Sequence, residues 1–222
     1  NKGDYFYICN LLTVDEIKEV LGEETKVYGW FDGDVFTDTV EEALKEYDLI
    51  GKTIAVNSTS RAFNILEITD KVNVKFVNGK PLMEEIRIIK SDEEIEGLKK
   101  SAAITDEVFT ELLTFIKPGM KEADIQNKIN DSFIQKGAEP WFAIIASGAN
   151  SALPHYTGND RVIQEKDIII MDFGCKYNSF CSDMTRTVFV GGITEEEREV
   201  YDIVLEANIA GESKVKEGVL TS

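Results

Sequence analysis

The sequence predicts an α/β layer over its first 80 residues, followed by a unit of different texture in which two long amphipathic helices lead into strands. Three observations carry this. Before residue 80, short segments rich in β-branched and aromatic residues alternate with helical stretches, the pattern of a layered α/β unit. From Ile95 to Ile116, apolar residues recur at helical spacing instead. Between the two textures lies the turn cluster Asn78-Gly79-Lys80-Pro81, which divides the chain into an expected N-terminal domain over 1–82 and a second domain over 83–222.

In order along the chain, Tyr5-Phe6-Tyr7-Ile8-Cys9 reads as the first strand. Thr13, with Glu16 three residues on, forms an expected capping box whose side chains satisfy free backbone N–H groups and open the first helix. Val27-Tyr28-Gly29-Trp30 is the second strand. A helix from roughly Thr37 to Tyr47 follows, with Val40, Ala43 and Leu44 on one face. Thr53-Ile54-Ala55-Val56 is the third strand, a helix follows Ser58-Thr59-Ser60, and Val74-Lys75-Phe76-Val77 is the fourth strand. No glycine-rich phosphate loop follows any of these strands, and Gly29, Gly33 and Gly51 read as turn glycines. A second capping box, Ser91 to Glu94, opens a long helix with Ile95, Leu98, Ala102, Thr105, Val108, Phe109, Leu112 and Ile116 on one stripe, ended by Pro118-Gly119. The next helix, about 122 to 136, buries Ile125, Ile129 and Phe133 and stops at Gly137. A strand from Trp141 to Gly148, the loop Leu153-Pro154-His155-Tyr156 and a strand pair at about 167–175 and 180–190 come next. Thr194 with Glu197 caps a last helix carrying Val200, Ile203, Val204 and Ala207.

Composition narrows the function. The chain has 222 residues, with 41 acidic against 24 basic side chains and a net charge of −17. Such a surface repels phosphate backbones and anionic lipids, so neither nucleic acid nor membrane is an expected partner, while cations are compatible. Cys9, Cys175 and Cys181 are too few for a disulfide scaffold and lack zinc-knuckle spacing, which points to a reducing compartment. The longest apolar runs fall far short of a membrane span, and no secretory signal opens the chain. The sequence begins at Asn1 rather than Met and stops at Thr221-Ser222, and both ends are expected to be cut. The single histidine, His155, excludes any site that needs two from this chain.

One segment carries chemistry. With the turn of the strand pair at Tyr177-Asn178, Phe173 faces Ser182, Met171 faces Met184 and Asp172 faces Asp183. The two carboxylates then share one face of the sheet, with Cβ atoms about 4.5–5.5 Å apart. Two full charges at ~5 Å repel by roughly 3 kcal/mol at an effective dielectric of 20. A shared proton, a cationic side chain or a metal ion would relieve this. Arg186 lies an odd number of residues from Asp183 and points to the other face. Clustered carboxylates without a thiolate favour Mn²⁺, Mg²⁺ or Co²⁺, with Zn²⁺ also open, and two facing carboxylates suit a two-metal site. The competing reading is a solvated aspartate near a strand end, which a bulge in the register would produce. Cys175 and Cys181 read as packing residues, and His155 as either a loop residue or a group folded over the same strands.

Together, Ser147-Gly148-Ala149-Asn150-Ser151-Ala152-Leu153-Pro154-His155-Tyr156, Met171-Asp172-Phe173-Gly174 and Cys181-Ser182-Asp183-Met184-Thr185-Arg186-Thr187 resemble the pita-bread metallopeptidases: aminopeptidase P, prolidase, methionine aminopeptidase and creatinase. Lys117-Pro118-Gly119-Met120-Lys121-Glu122 and Tyr201-Asp202-Ile203-Val204-Leu205-Glu206-Ala207 also match the helices around that core, so the resemblance covers about 84 to 222. It implies the first half of an α+β pita-bread domain. The region before residue 80 resembles the N-terminal α/β domain of the creatinase, prolidase and aminopeptidase P branch, lacking its start.

By that resemblance Asp172 is a chelating ligand of one metal, Asp183 bridges two, and His155 is the substrate-side histidine near the scissile amide. The implied reaction is hydrolysis of the Xaa-Pro bond at a peptide N-terminus, through a water bridging two divalent ions, Mn²⁺ above all, with Co²⁺ or Zn²⁺ open. Thr185 shares the face of Asp183 and is expected to hydrogen-bond a ligand carboxylate. The family pattern also needs one His and two Glu ligands in the second half of the fold. These would lie beyond Ser222, so the chain alone is expected to be inactive. A cytoplasmic homodimer is implied. Creatinase-type C–N hydrolysis and a pita-bread binding module without catalysis are the alternatives.

Overall fold

The structure is a computed structural model that describes residues 5–220. The ends at Asn1 and at Thr221-Ser222 lie outside the described residues. The chain divides into two compact units, Asn1–Ile89 and Lys90–Ser222.

In the first unit, strand β1 (Tyr7–Asn10) leads through helix α1 (Val14–Leu21) to β2 (Val27–Trp30), which pairs with it in parallel. Helix α2 (Phe36–Glu46) follows. Then β3 (Thr53–Val56), α3 (Ala62–Lys71) and β4 (Lys75–Asn78) repeat the arrangement, with β3 and β4 parallel. A parallel pair needs a crossover, and in each case one helix supplies it. Val40, Leu44, Val72 and Val74 are the buried centre, with Ile8, Ile54, Ile68 and Phe76 packed against it. The expected Thr13–Glu16 capping box does not form. Asn10 accepts the Leu12 N–H and caps a short 3-10 turn, while the Thr13 hydroxyl donates to the Asn10 carbonyl. A second Asx-type cap three residues upstream therefore takes the start of the helix. The Asn78-Gly79-Lys80-Pro81 cluster opens helix α4 (Lys80–Ile88), with Pro81 in its first turn where no N–H is missed. The division between units falls after that helix.

The second unit opens with α5 (Asp92–Phe115). Its predicted capping box is present: Ser91 Oγ accepts the Glu94 N–H and Glu94 Oε2 accepts the Ser91 N–H. Helix α6 (Glu122–Gln135) follows and ends at Gly137, whose φ of 74° is the left-handed C-terminal turn that favours glycine. The sheet is antiparallel. Central β6 (Ile168–Tyr177) pairs on one side with β5 (Glu139–Ser147), and on the other with β7 (Phe180–Cys181) and then β8 (Met184–Phe189). Along β6, Ile169, Met171, Phe173 and Cys175 are fully buried against Ile104, Val108, Leu112, Ile125, Ile129 and Phe133 of α5 and α6. The alternate residues, Ile168, Ile170 and Asp172, are only half-buried. This period of two places Asp172 on the sheet face turned away from the helices.

The apolar stripe on α5 is rotated relative to expectation. Ser101, Ile104, Thr105, Val108 and Leu112 are buried, whereas Ile95 and Ala102 are exposed. In the first turns of α5, Gly97 makes room for the Phe180 ring of β7. Helix α7 (Glu195–Glu212) has the predicted Thr194–Glu197 capping box but no buried residue. Val200, Ile203, Val204 and Ala207 all stay exposed, and Tyr201 stacks edge-on against Phe189 at 5.7 Å.

Candidate metal centre

The hairpin that carries both aspartates turns one residue later than expected. Asn178 and Ser179 take φ of 48° and 70°, the left-handed pair that a two-residue hairpin turn demands, and Tyr177 stays in the strand opposite Phe180. Moving the centre by one residue moves every partner by two. Asp172 therefore lies opposite Thr185, and Phe173 opposite Met184, rather than opposite Asp183 and Ser182. A two-residue shift preserves the faces, so Asp183 remains on the Asp172 side, diagonal to it.

Asp183 sits in a break between β7 and β8, where Ser182 and Asp183 leave the ladder. The break is stapled from behind. Ser182 N–H donates to the Cys175 carbonyl at 2.9 Å, and Cys175 N–H donates to Ser182 Oγ at 3.0 Å. Thr105 and Ser182 share a hydroxyl–hydroxyl bond of 2.6 Å. Gly174 is required beside it, because a Cβ there would meet the Ser182 carbonyl oxygen at 2.0 Å. Cys175 is buried in the core and packs as expected, with its Sγ beside the Ser101, Thr105 and Ser182 hydroxyls.

The electrostatics follow from this geometry. Burial pushes the Asp172 carboxyl up; the Thr185 hydroxyl, donating to Oδ1 at 3.0 Å, pulls it down. The neighbouring Asp183 carboxylate pushes it up again, and the His155 imidazole acts weakly in the opposite sense. The structure thus brings Asp172, Asp183 and Thr185 to one face. Asp183 and His155 are exposed and Asp172 is half-buried. Arg186 faces the other way, over the Phe109 ring on α5 at 5.9 Å, and does not neutralise the pair. The donors fit a hard divalent cation in kind, being carboxylate oxygens. Among the described residues no group of three or more His, Cys, Asp or Glu side chains is placed to hold one.

One part of the surroundings escaped sequence reasoning. Glu122, the first residue of α6, is fully buried. Its Oε1 accepts from Ser147 N at 2.8 Å, Ser147 Oγ at 2.7 Å and Asn150 Nδ2 at 3.1 Å, and its Oε2 from the Tyr156 hydroxyl at 3.0 Å. Arg161 donates to Ser147 Oγ at 2.6 Å and grips Asp167 with both terminal nitrogens; that guanidinium holds the Asp167 carboxyl below its usual range. In sequence, Glu122 is indistinguishable from any acid in a helix's first turn.

The second unit is thus an antiparallel sheet backed by helices, with two neighbouring carboxylates on the face turned away from them. Comparison with known proteins gives the family. The sequence pattern of metallopeptidase family M24 matches residues 96–222, and the chain belongs to that family. It is 36% identical to the Xaa-Pro dipeptidase of Pyrococcus furiosus over 185 residues, 82% of this chain and 52% of that protein. It is 39% identical to the uncharacterized peptidase YqhT of Bacillus subtilis over 139 residues, 62% of this chain and 39% of that protein. Among solved structures, the prolidase from Thermococcus sibiricus superposes with a TM-score of 0.87 at 33% identity, covering 96% of this chain and 58% of that one. The chain therefore spans about half the length of the relatives it matches, and its fold is an α/β unit followed by part of the pita-bread fold. The family implies divalent metal cofactors. No helix among the described residues is long and apolar enough to cross a membrane.

Proposed function

We propose that this chain is part of a metal-dependent exopeptidase that cleaves the Xaa-Pro bond at the N-terminus of peptides, working as a cytoplasmic homodimer. Its domains are the N-terminal α/β domain and a pita-bread domain that begins near residue 83. The observation that carries the reading is the Asp172–Asp183 pair, set diagonally on one face of the sheet with Thr185 holding Asp172 and Arg186 turned to the other face. The Xaa-Pro dipeptidase from Pyrococcus furiosus and the prolidase from Thermococcus sibiricus support the substrate class.

Asp172 and Asp183 would hold two divalent ions, Mn²⁺ before Co²⁺ or Zn²⁺, completed by a His and two Glu from a segment outside these 222 residues. Ions bound there would lower the pKa of water and polarise the scissile carbonyl. Thr185 fixes the Asp172 carboxylate by donating to its Oδ1. His155, exposed at the loop tip, offers a ring N–H to the substrate beside the scissile amide. The Xaa-Pro imide has no N–H to offer, so recognition falls on its carbonyls and ring.

The test is metal content and hydrolysis of Xaa-Pro peptides by the full-length protein. Asp183→Asn should reduce bound Mn²⁺ below two per chain and abolish turnover. An Asp183→Asn protein that keeps both ions and its rate would refute the reading.

A further inference from the structure

The buried carboxylate of Glu122 has no part in the chemistry proposed above, yet it is costly to keep. A carboxylate taken out of water must be matched by hydrogen bonds or it is strongly destabilising. Glu122 is fully buried and meets that demand with donors from Ser147, Asn150 and Tyr156. These three residues bracket the loop that carries His155. The loop's other hydrogen bonds are local: Leu153 N–H to Asn150 O, Tyr156 N–H to Leu153 O and Ser151 Oγ to Gly148 O. Among the described residues, the three side-chain bonds that tie positions 150 and 156 to the body of the unit all end on Glu122.

We propose that Glu122 is a positioning residue for His155: it anchors both sides of the 148–156 loop and so sets where the imidazole stands over the Asp172–Asp183 face. Its place suits the task. As the first residue of α6 it sits on a rigid helix packed into the core through Ile125, Ile129 and Phe133, and the helix N-terminus favours its negative charge. Tyr156 is the next residue after His155, so its bond to Oε2 tethers the chain one residue beyond the histidine. The inference rests on the reading of His155 as the substrate-facing group.

A double-mutant cycle separates the two ideas. In the full-length, Mn²⁺-loaded protein acting on an Xaa-Pro peptide, Glu122→Gln and Tyr156→Phe should each lower kcat about ten- to a hundredfold, the scale of a misplaced catalytic group, with KM and bound Mn²⁺ unchanged. In a His155→Ala background each should lower it less than about threefold further, because the group they position is gone. The His155 imidazole resonance, assigned by its loss in His155→Ala, should shift or broaden in Glu122→Gln. Multiplicative effects in the two backgrounds, or wild-type kinetics with an unmoved resonance, overturn the positioning role alone. A His155→Ala enzyme with unchanged kinetics overturns the role of the histidine, and the positioning role with it. If Glu122→Gln does not fold, Tyr156→Phe and Asn150→Ala remove single donors and carry the same comparison.

Discussion

Replacing Gly174 by alanine tests the break that presents Asp183. A Cβ at this position would lie 2.0 Å from the Ser182 carbonyl oxygen and 2.9 Å from its carbon. Both are backbone atoms, so no side-chain rotation can relieve the overlap. The Ser182 peptide must move away. That strains the mutual bonds between Ser182 and Cys175 and the Thr105–Ser182 contact, all buried. Overpacking of this kind costs about 1–3 kcal/mol, and each buried hydrogen bond lost adds about 1 kcal/mol. With three such bonds the sum is roughly 4–6 kcal/mol, a large part of a domain stability of about 5–15 kcal/mol. Denaturant unfolding measures it, with Trp30→Phe leaving Trp141 on β5 as the fluorescent reporter of the second unit. Gly192→Ala is the control, since nothing lies within 4 Å of a Cβ there. A Gly174→Ala protein within about 0.5 kcal/mol of its parent would refute the account, because it would mean that Ser182 is free to retreat.

Two further outcomes follow from the core and from charge. Phe133→Ala should cost about 3–5 kcal/mol by the same unfolding measurement, against less than about 0.5 kcal/mol for its neighbour Ile134→Ala, because Phe133 is fully buried and Ile134 is 62% exposed. Lys136, Ser132 and Lys128 lower the Glu111 carboxyl to about 2 from its ordinary 4.5, so its ionised form stabilises the fold. That contribution is fully present above pH 4.5 and is lost as pH falls toward about 2; unfolding midpoints measured between about pH 5 and about pH 3 should fall more steeply in the parent than in Glu111→Gln.

Much of the architecture was legible because its signals are local. The boxes at Ser91–Glu94 and Thr194–Glu197 close within one turn of chain, and the strands expected at about 167–175 and 180–190 are short apolar runs that need no partner to be seen. Thr13–Glu16 misled because Asn10, equally able to cap, stood three residues upstream. The α5 stripe was displaced because the side of the helix that is buried is set by α6 and β6, which pack against Ile104, Val108 and Leu112. The choice between Tyr177-Asn178 and Asn178-Ser179 as turn centre was a difference of one residue that no local pattern decided.

The pairing of Asp172 with Asp183 survived that difference because side chains in a strand alternate with period two, and moving a hairpin's centre by one residue moves each partner by two. Parity along the chain therefore determined which face both carboxylates share. Their diagonal offset, the Ser182 staple and the Gly174 contact were decided only by tertiary structure, since each needs the backbone of one strand to meet that of another. Glu122 is the clearest case. Its type and position announce a helix start, and only the folding of residues 147–156 around it turns a first-turn acid into a buried anchor. Periodicity is written residue by residue, whereas desolvation belongs to whatever the rest of the chain brings to cover a side chain.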